Sequence, residues 1–335
     1  MPRAASSARL LPGGLICAFM SDSSAVRPFD LQGHRGARGL RPENTLPGFA
    51  HALSIGVSTL ELDTAVTKDG VVIVAHDRRL NPDLARGPSG AWLGEAGPTF
   101  FSLTYEEVLR YDVGRIRPGS AYARRFPDQL AIDGTRVPRL QDLFSLVKDA
   151  GNDVVRLNIE TKIDPRHPEE TLDPESFSTA LVDEIRRADV SARAMIQSFD
   201  WRTLKIVQRI APEIQTVCLT TQHGDDDNVW LGKPGTSPWL AGLSVADFAD
   251  SIPGAVRASG ADVWSPSHLE LNVELLKVAH GLGLRVIPWT VNDVADMRRL
   301  IAAGVDGLIS DRPDLLRTVL AESGLPLPTP TPIAF

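Results

Sequence analysis

Short apolar runs alternate with segments whose apolar residues recur at helical spacing, from residue 29 almost to the C-terminus. The runs predict strands at 29–33, 59–64, 71–76, 154–160, 194–198, 215–219, 262–265, 285–289 and 307–310. The periodic segments predict helices at 46–55, 105–109, 140–150, 177–188, 201–210, 272–282, 294–303 and 313–320. Gly151, Gly283 and Gly304 follow three of these helices where a left-handed C-cap belongs. Thr67-Lys68-Asp69-Gly70 is a hairpin turn that ties the 71–76 run to the strand before it. Without that hairpin arm, eight strands remain in a repeating strand-then-helix order, which predicts a (β/α)8 TIM barrel spanning 29–322. An open doubly wound sheet is the fallback. Residues 1–28 form a flexible tail in this division, and 323–335 a Pro-rich tail expected to be disordered from 326 onward. Residues 78–137 and 221–250 break the rhythm. They fall as long insertions after the second and fifth barrel strands, on the C-terminal rim where barrel enzymes build their sites.

Composition narrows the partners. The chain has 335 residues, 43% of them hydrophobic, and a net charge of -7. That charge argues against nucleic acid and anionic membrane, which need a basic field. The two cysteines, Cys17 and Cys218, make neither a disulfide framework nor a zinc spacing. No stretch is long and apolar enough for stable membrane insertion. Arg3 and Arg9 precede a short apolar stretch that resembles a signal peptide but is broken by Pro12, Gly13 and Gly14 and lacks a cleavage site. A cytoplasmic location is therefore favoured over a periplasmic or secreted one, and Met20 is an alternative start. Oligomeric state is left open.

The chemistry begins with residues 33–77. Glu61 and Asp63 alternate with Leu60 and Leu62, so the two carboxylates share one face of their strand. No Lys or Arg flanks them, and oxygen ligands so placed suit a hard divalent cation. His34 and His76 each close an apolar run, which brings both to the same rim as acid–base candidates. Either histidine alone is more often structural; the convergence of four groups on one rim favours function. Arg35 beside His34 suits a phosphate clamp. Glu160 and Lys162 end another strand and share a face, which adds a third carboxylate and a second cation. Asp225-Asp226-Asp227 lacks calcium-loop spacing and is a solvated acidic loop. Trp289 closes a strand, as either a rim core aromatic or a substrate-facing wall.

The segments His34-Arg35-Gly36, Pro42-Glu43-Asn44-Thr45, Glu61-Leu62-Asp63, Thr67-Lys68-Asp69-Gly70, His76-Asp77, Asn158-Ile159-Glu160-Thr161-Lys162, Gln197-Ser198-Phe199 and Trp289-Thr290-Val291-Asn292 together resemble the glycerophosphodiester phosphodiesterase family, in family order across nearly the whole chain. The resemblance implies metal-dependent hydrolysis of glycerophosphodiesters to sn-glycerol 3-phosphate and an alcohol. It implies one Ca2+ or Mg2+ on Glu61, Asp63 and Glu160, with His34 and His76 as the acid–base pair, His34 leaning toward base. It further implies Arg35 and Lys162 on the phosphate, Glu43 in support, and Trp289 flanking the glycerol end. Arg139, in Val137-Pro138-Arg139-Leu140, departs from the family's usual helix start and puts the local cap in question. Two rivals are weighed: a related barrel phospholipase of the sphingomyelinase D or phosphoinositide phospholipase C type, and a non-catalytic phosphodiester-binding barrel. Five intact acid–base and carboxylate positions speak against the second, and the lack of a docking segment against the first.

Overall fold

The computed structural model describes residues 28–333. The N-terminal tail, with Cys17 and Met20, lies outside these residues. Nine strands are present: β1 (Asp30–Gly33), β2 (Thr59–Val66), β3 (Val72–Val74), β4 (Arg156–Thr161), β5 (Ala194–Ser198), β6 (Gln215–Thr220), β7 (Val263–Pro266), β8 (Arg285–Val286) and β9 (Gly307–Ser310). Eight pair in parallel in the order β8-β7-β6-β5-β4-β2-β1-β9, and β3 pairs antiparallel with β2. Backbone bonds from Asp306 N to Val286 O and from Ile309 N to Pro288 O bring the two end strands together. The result is the expected (β/α)8 barrel, nearly closed.

The helices are α1 (Leu46–Ile55), α2 (Tyr105–Val108), α3 (Ala121–Arg125), α4 (Leu140–Asp149), α5 (Pro174–Arg187), α6 (Trp201–Ile210), α7 (Ile252–Ala258), α8 (Val273–Gly281), α9 (Val294–Ala303) and α10 (Pro313–Glu322). The helices of the barrel units cover the sheet's outer face, where Leu31, Leu60, Leu62, Leu157 and Ile159 join one large apolar cluster with residues such as Phe49 and Phe177. Inside the barrel, Met195, Val217, Val263, Ile287 and Ile309 form a second apolar group. The rest of the interior is polar. Asp30 takes Arg156 at 2.8 Å and Thr59 at 2.7 Å. Above it a hydrogen-bonded chain runs through Gln32, Asn158 and Gln197 to Glu61. The amide N–H groups of this chain thus have partners and fix the rotamers beneath the rim, while Asn158 Oδ1 is left without one.

Two expectations are corrected. Helix α7 falls where no element is predicted from the sequence; Pro253 occupies its first turn, where its missing N–H costs nothing, and Ser251 caps Gly254 N. Residues 326–333 are docked, not disordered. Thr331 N donates to Leu53 O at 2.8 Å, Asn152 donates to Thr331 Oγ1, and Arg317 donates to Pro328 O at 2.7 Å. Truncation after Leu325 is expected to cost about 3 kcal/mol, on the basis of roughly 1 kcal/mol for each of these three hydrogen bonds, with kcat unchanged. Thermal unfolding and steady-state assay of the truncated chain check this. Arg139 does not cost α4 its cap, since Asp142 reaches back to Arg139 N at 2.9 Å. No helix among the described residues is long and apolar enough to cross a membrane.

Candidate active site

The site forms where β1, β2, β4 and β9 end. Strand register sets its centre: β2 and β4 pair with Asp63 opposite Glu160 and Glu61 opposite Asn158. The period of two then turns Glu61, Asp63 and Glu160 inward together. All three are buried, and carboxylate oxygens of the three lie within 4.8 Å of one another. Burial first, then the charge of Asp63, pushes Glu61 well above the usual carboxylate range, and burial raises Glu160 to about 7 against the opposing charge of Lys162. Asp63 moves the other way. Although its own burial is the largest influence and works against it, the surrounding His76, Arg35 and Lys162 charges and the Asn44 amide hold it low.

His34 follows β1, and β1 pairs with β9 so that Gly33 lies opposite Ser310. This brings Asp311 to His34 from 277 residues away, with Nδ1 2.6 Å from Oδ1. Asp311 is itself fixed by Arg38 Nε at 2.7 Å, Arg38 Nη2 at 3.0 Å and Asn292 Nδ2 at 2.7 Å. The other ring nitrogen, Nε2, stands 3.8 Å from Glu61 Oε2. Burial and the Arg38 charge lower the His34 pKa to about 4. His76 Nδ1 lies 2.8 Å from Asp77 Oδ1, and Asn81 holds the other oxygen of Asp77. Burial and the Arg35 and Lys162 charges push His76 well below an ordinary imidazole.

The turn after β1 is shaped by Gly36 at φ +85°, where a Cβ would come within 2.8 Å of the Gly48 backbone. Arg35 itself has φ +50°, which costs a non-glycine residue about 1 kcal/mol. That conformation aims its backbone N–H at Glu61 Oε2, 2.9 Å away. Its guanidinium pairs with Glu43 at 2.6 Å, and its Nε lies 3.3 Å from Asp63 without hydrogen-bond geometry. So the β2 carboxylates, with no cation beside them in sequence, receive one across the loop. Lys162 Nζ binds Glu160 at 2.8 Å and lies 3.9 Å from Asp63.

His34, Arg35, Glu61, His76, Glu160, Lys162 and Trp289 line one cavity of about 320 Å³. Asp63 lies beneath them, 1% exposed. Glu43 does not face this cavity; it accepts from Arg35 and from the Tyr122 hydroxyl. Trp289 is half-buried. Its Nε1 donates to Ser265 O, and its ring meets Phe199 edge-on at 5.4 Å. Sequence reasoning missed Asp311, Arg38 and Tyr122 and gave Asn44, Asn292 and Gln197 no roles. Asp311 sits just past a strand end, the signal already used for His34.

A model of the "Glycerophosphoryl diester phosphodiesterase family" matches residues 34–315. A glycerophosphodiester phosphodiesterase of Caldanaerobacter subterraneus subsp. tengcongensis is 28% identical over 87% of this chain and 97% of its own. A solved structure of a protein of this kind from Silicibacter pomeroyi DSS-3 is 36% identical, with TM-score 0.77 over 88% of this chain and 93% of that one. A phosphodiesterase from Oleispira antarctica, solved in complex with its product sn-glycerol-3-phosphate, shares the fold at 18% identity and TM-score 0.62, covering 87% of this chain and 96% of that one. The matched region runs from His34 past Asp311 and so contains every group placed around the cavity, and the chain belongs to the glycerophosphoryl diester phosphodiesterase family of enzymes.

Proposed function

We propose that the protein hydrolyses glycerophosphodiesters, the deacylated headgroups of phospholipids, to sn-glycerol 3-phosphate and an alcohol, with one Ca2+ or Mg2+. The observation that carries this is the convergence on one small cavity of a buried three-carboxylate cluster and two histidines, each backed by a carboxylate. The donor set fits a hard divalent ion: all ligands are carboxylate oxygens, and burial, followed by the charge of Asp63, raises Glu61 and Glu160, a cost a cation would relieve. Glu61, Asp63 and Glu160 would hold it, and it supplies positive charge for phosphoryl oxygens.

The side chains do the rest. Asp311 fixes the Nδ1–H tautomer of His34, which leaves the Nε2 lone pair toward the cavity. His34 is neutral at pH 7, as a base must be, and Asp311 offsets the imidazolium once the proton arrives. Arg35 and Lys162 meet the phosphoryl charge. Both depress His76 in the free protein, so an anionic diester that engages them lets His76 carry the proton an alkoxide leaving group requires.

A base is lost as pH falls through its pKa. The acid limb of kcat/KM, which reports the free enzyme, is therefore expected at about pH 4, the His34 value. Arg38→Met removes a charge that lowers His34 and should move that limb upward. A wild-type limb near an ordinary imidazole would contradict the assignment of His34 as base. The overall proposal is tested by product analysis on glycerophosphocholine, glycerophosphoethanolamine and an intact phospholipid. Release of sn-glycerol 3-phosphate from the first two supports it, and cleavage of intact lipid alone overturns it.

A further inference from the structure

A second, larger cleft of about 670 Å³ adjoins the inner cavity, and the two share His76, Lys162, Phe199 and Trp289 on their common wall. Space beyond the acid candidate His76 is where a leaving alcohol must lie. Nearly every charge lining that cleft is matched. Arg78 binds Glu170 and Asp164, Arg79 binds Glu170, and Arg166 binds Asp164. Lys162 binds Glu160, and Asp77 is held by His76 and Asn81.

Two charges on the common wall differ. Arg125 and Asp226 line both spaces, yet neither makes an ion pair or a side-chain hydrogen bond among the described residues. They come from different insertions, Arg125 from α3 after the second barrel strand and Asp226 from the loop after the fifth. Arg125 is nevertheless placed: its guanidinium lies over the rings of Tyr122 at 5.8 Å and Phe126 at 5.6 Å. Tyr122 in turn donates to Glu43, the partner of Arg35, so this cation is tied to the inner site. The wall thus presents one positive and one negative group without a close partner, both exposed and Asp226 with only the more distant charge of Arg166, beside an aromatic pair, Phe199 and Trp289.

We propose that this wall selects a leaving alcohol carrying both an anionic and a cationic group, an amino-acid alcohol of the serine type. Arg125 takes its carboxylate and Asp226 its ammonium. The inference rests on the diesterase activity proposed above and adds the alcohol class. A fork of guanidinium donors suits a carboxylate, and both groups are exposed and so open to an incoming alcohol.

The test compares kcat/KM for glycerophosphoserine, glycerophosphoethanolamine and glycerophosphoglycerol in the wild-type protein, Arg125→Ala, Arg125→Lys and Asp226→Asn. The wild type is expected to favour the serine diester by about tenfold. Arg125→Ala should erase most of that preference over the ethanolamine diester, chiefly through KM, and Arg125→Lys should restore part of it. Asp226→Asn should weaken the serine and ethanolamine diesters and leave the glycerol diester unchanged. A wild-type preference for the glycerol diester, or variants that lower all three substrates equally, overturns the proposal while leaving the diesterase activity intact. Cleavage of none of the three overturns the diesterase reading and this inference with it.

Discussion

His34→Ala is expected to lower kcat/KM for a glycerophosphodiester by about three orders of magnitude, within the usual span for removing a general base. The folded state should survive, because the imidazole is held near neutrality and its loss leaves the Arg38 and Asn292 contacts of Asp311 in place. Asp311→Asn probes the same step through a positioning residue. An amide can turn its N–H₂ toward Nδ1, which favours the wrong tautomer and directs the ring's proton at the cavity. About a hundredfold loss in kcat, with KM little changed, is expected. A His34→Ala enzyme within tenfold of wild type, folded by circular dichroism, would remove His34 from the mechanism.

The second large effect concerns the carboxylates. Glu61 accepts from Arg35 N and from Gln197 and touches the cluster at its centre. Glu61→Gln keeps the shape of the side chain but removes one of three charges available to a cation. Loss of activity by at least about a hundredfold is expected, together with a second signature that does not depend on turnover. Divalent ions should raise the thermal midpoint of the wild-type protein, since a ligand that binds only the folded state stabilises it. In Glu61→Gln that rise should vanish at the same ion concentration. An equal rise in both proteins would place the ion elsewhere.

What was legible in the sequence follows from the range of each interaction. Glu61, Asp63 and Glu160 were readable because alternation along β2 and β4 is local, and inward direction follows from it. Asp311 was not, because its meeting with His34 depends on the pairing of β1 with β9, the first and last strands of the barrel. Tyr122 was hidden for a different reason: α3 has five residues and no buried face, so it leaves no periodic trace. The docked C-terminal segment misled because Pro-rich composition predicts little packing, whereas most of its hydrogen bonds use a backbone carbonyl and a backbone N–H that composition does not encode, joined by the Thr331 hydroxyl.

The most direct test of the account is the release of sn-glycerol 3-phosphate by metal-stripped protein before and after Ca2+ or Mg2+ is restored, on a substrate the untreated protein cleaves. Negligible release from the stripped protein, recovery with one of the two ions, and no recovery in Glu61→Gln are expected of this mechanism. Full activity of the stripped protein, undiminished by excess chelator, would contradict it.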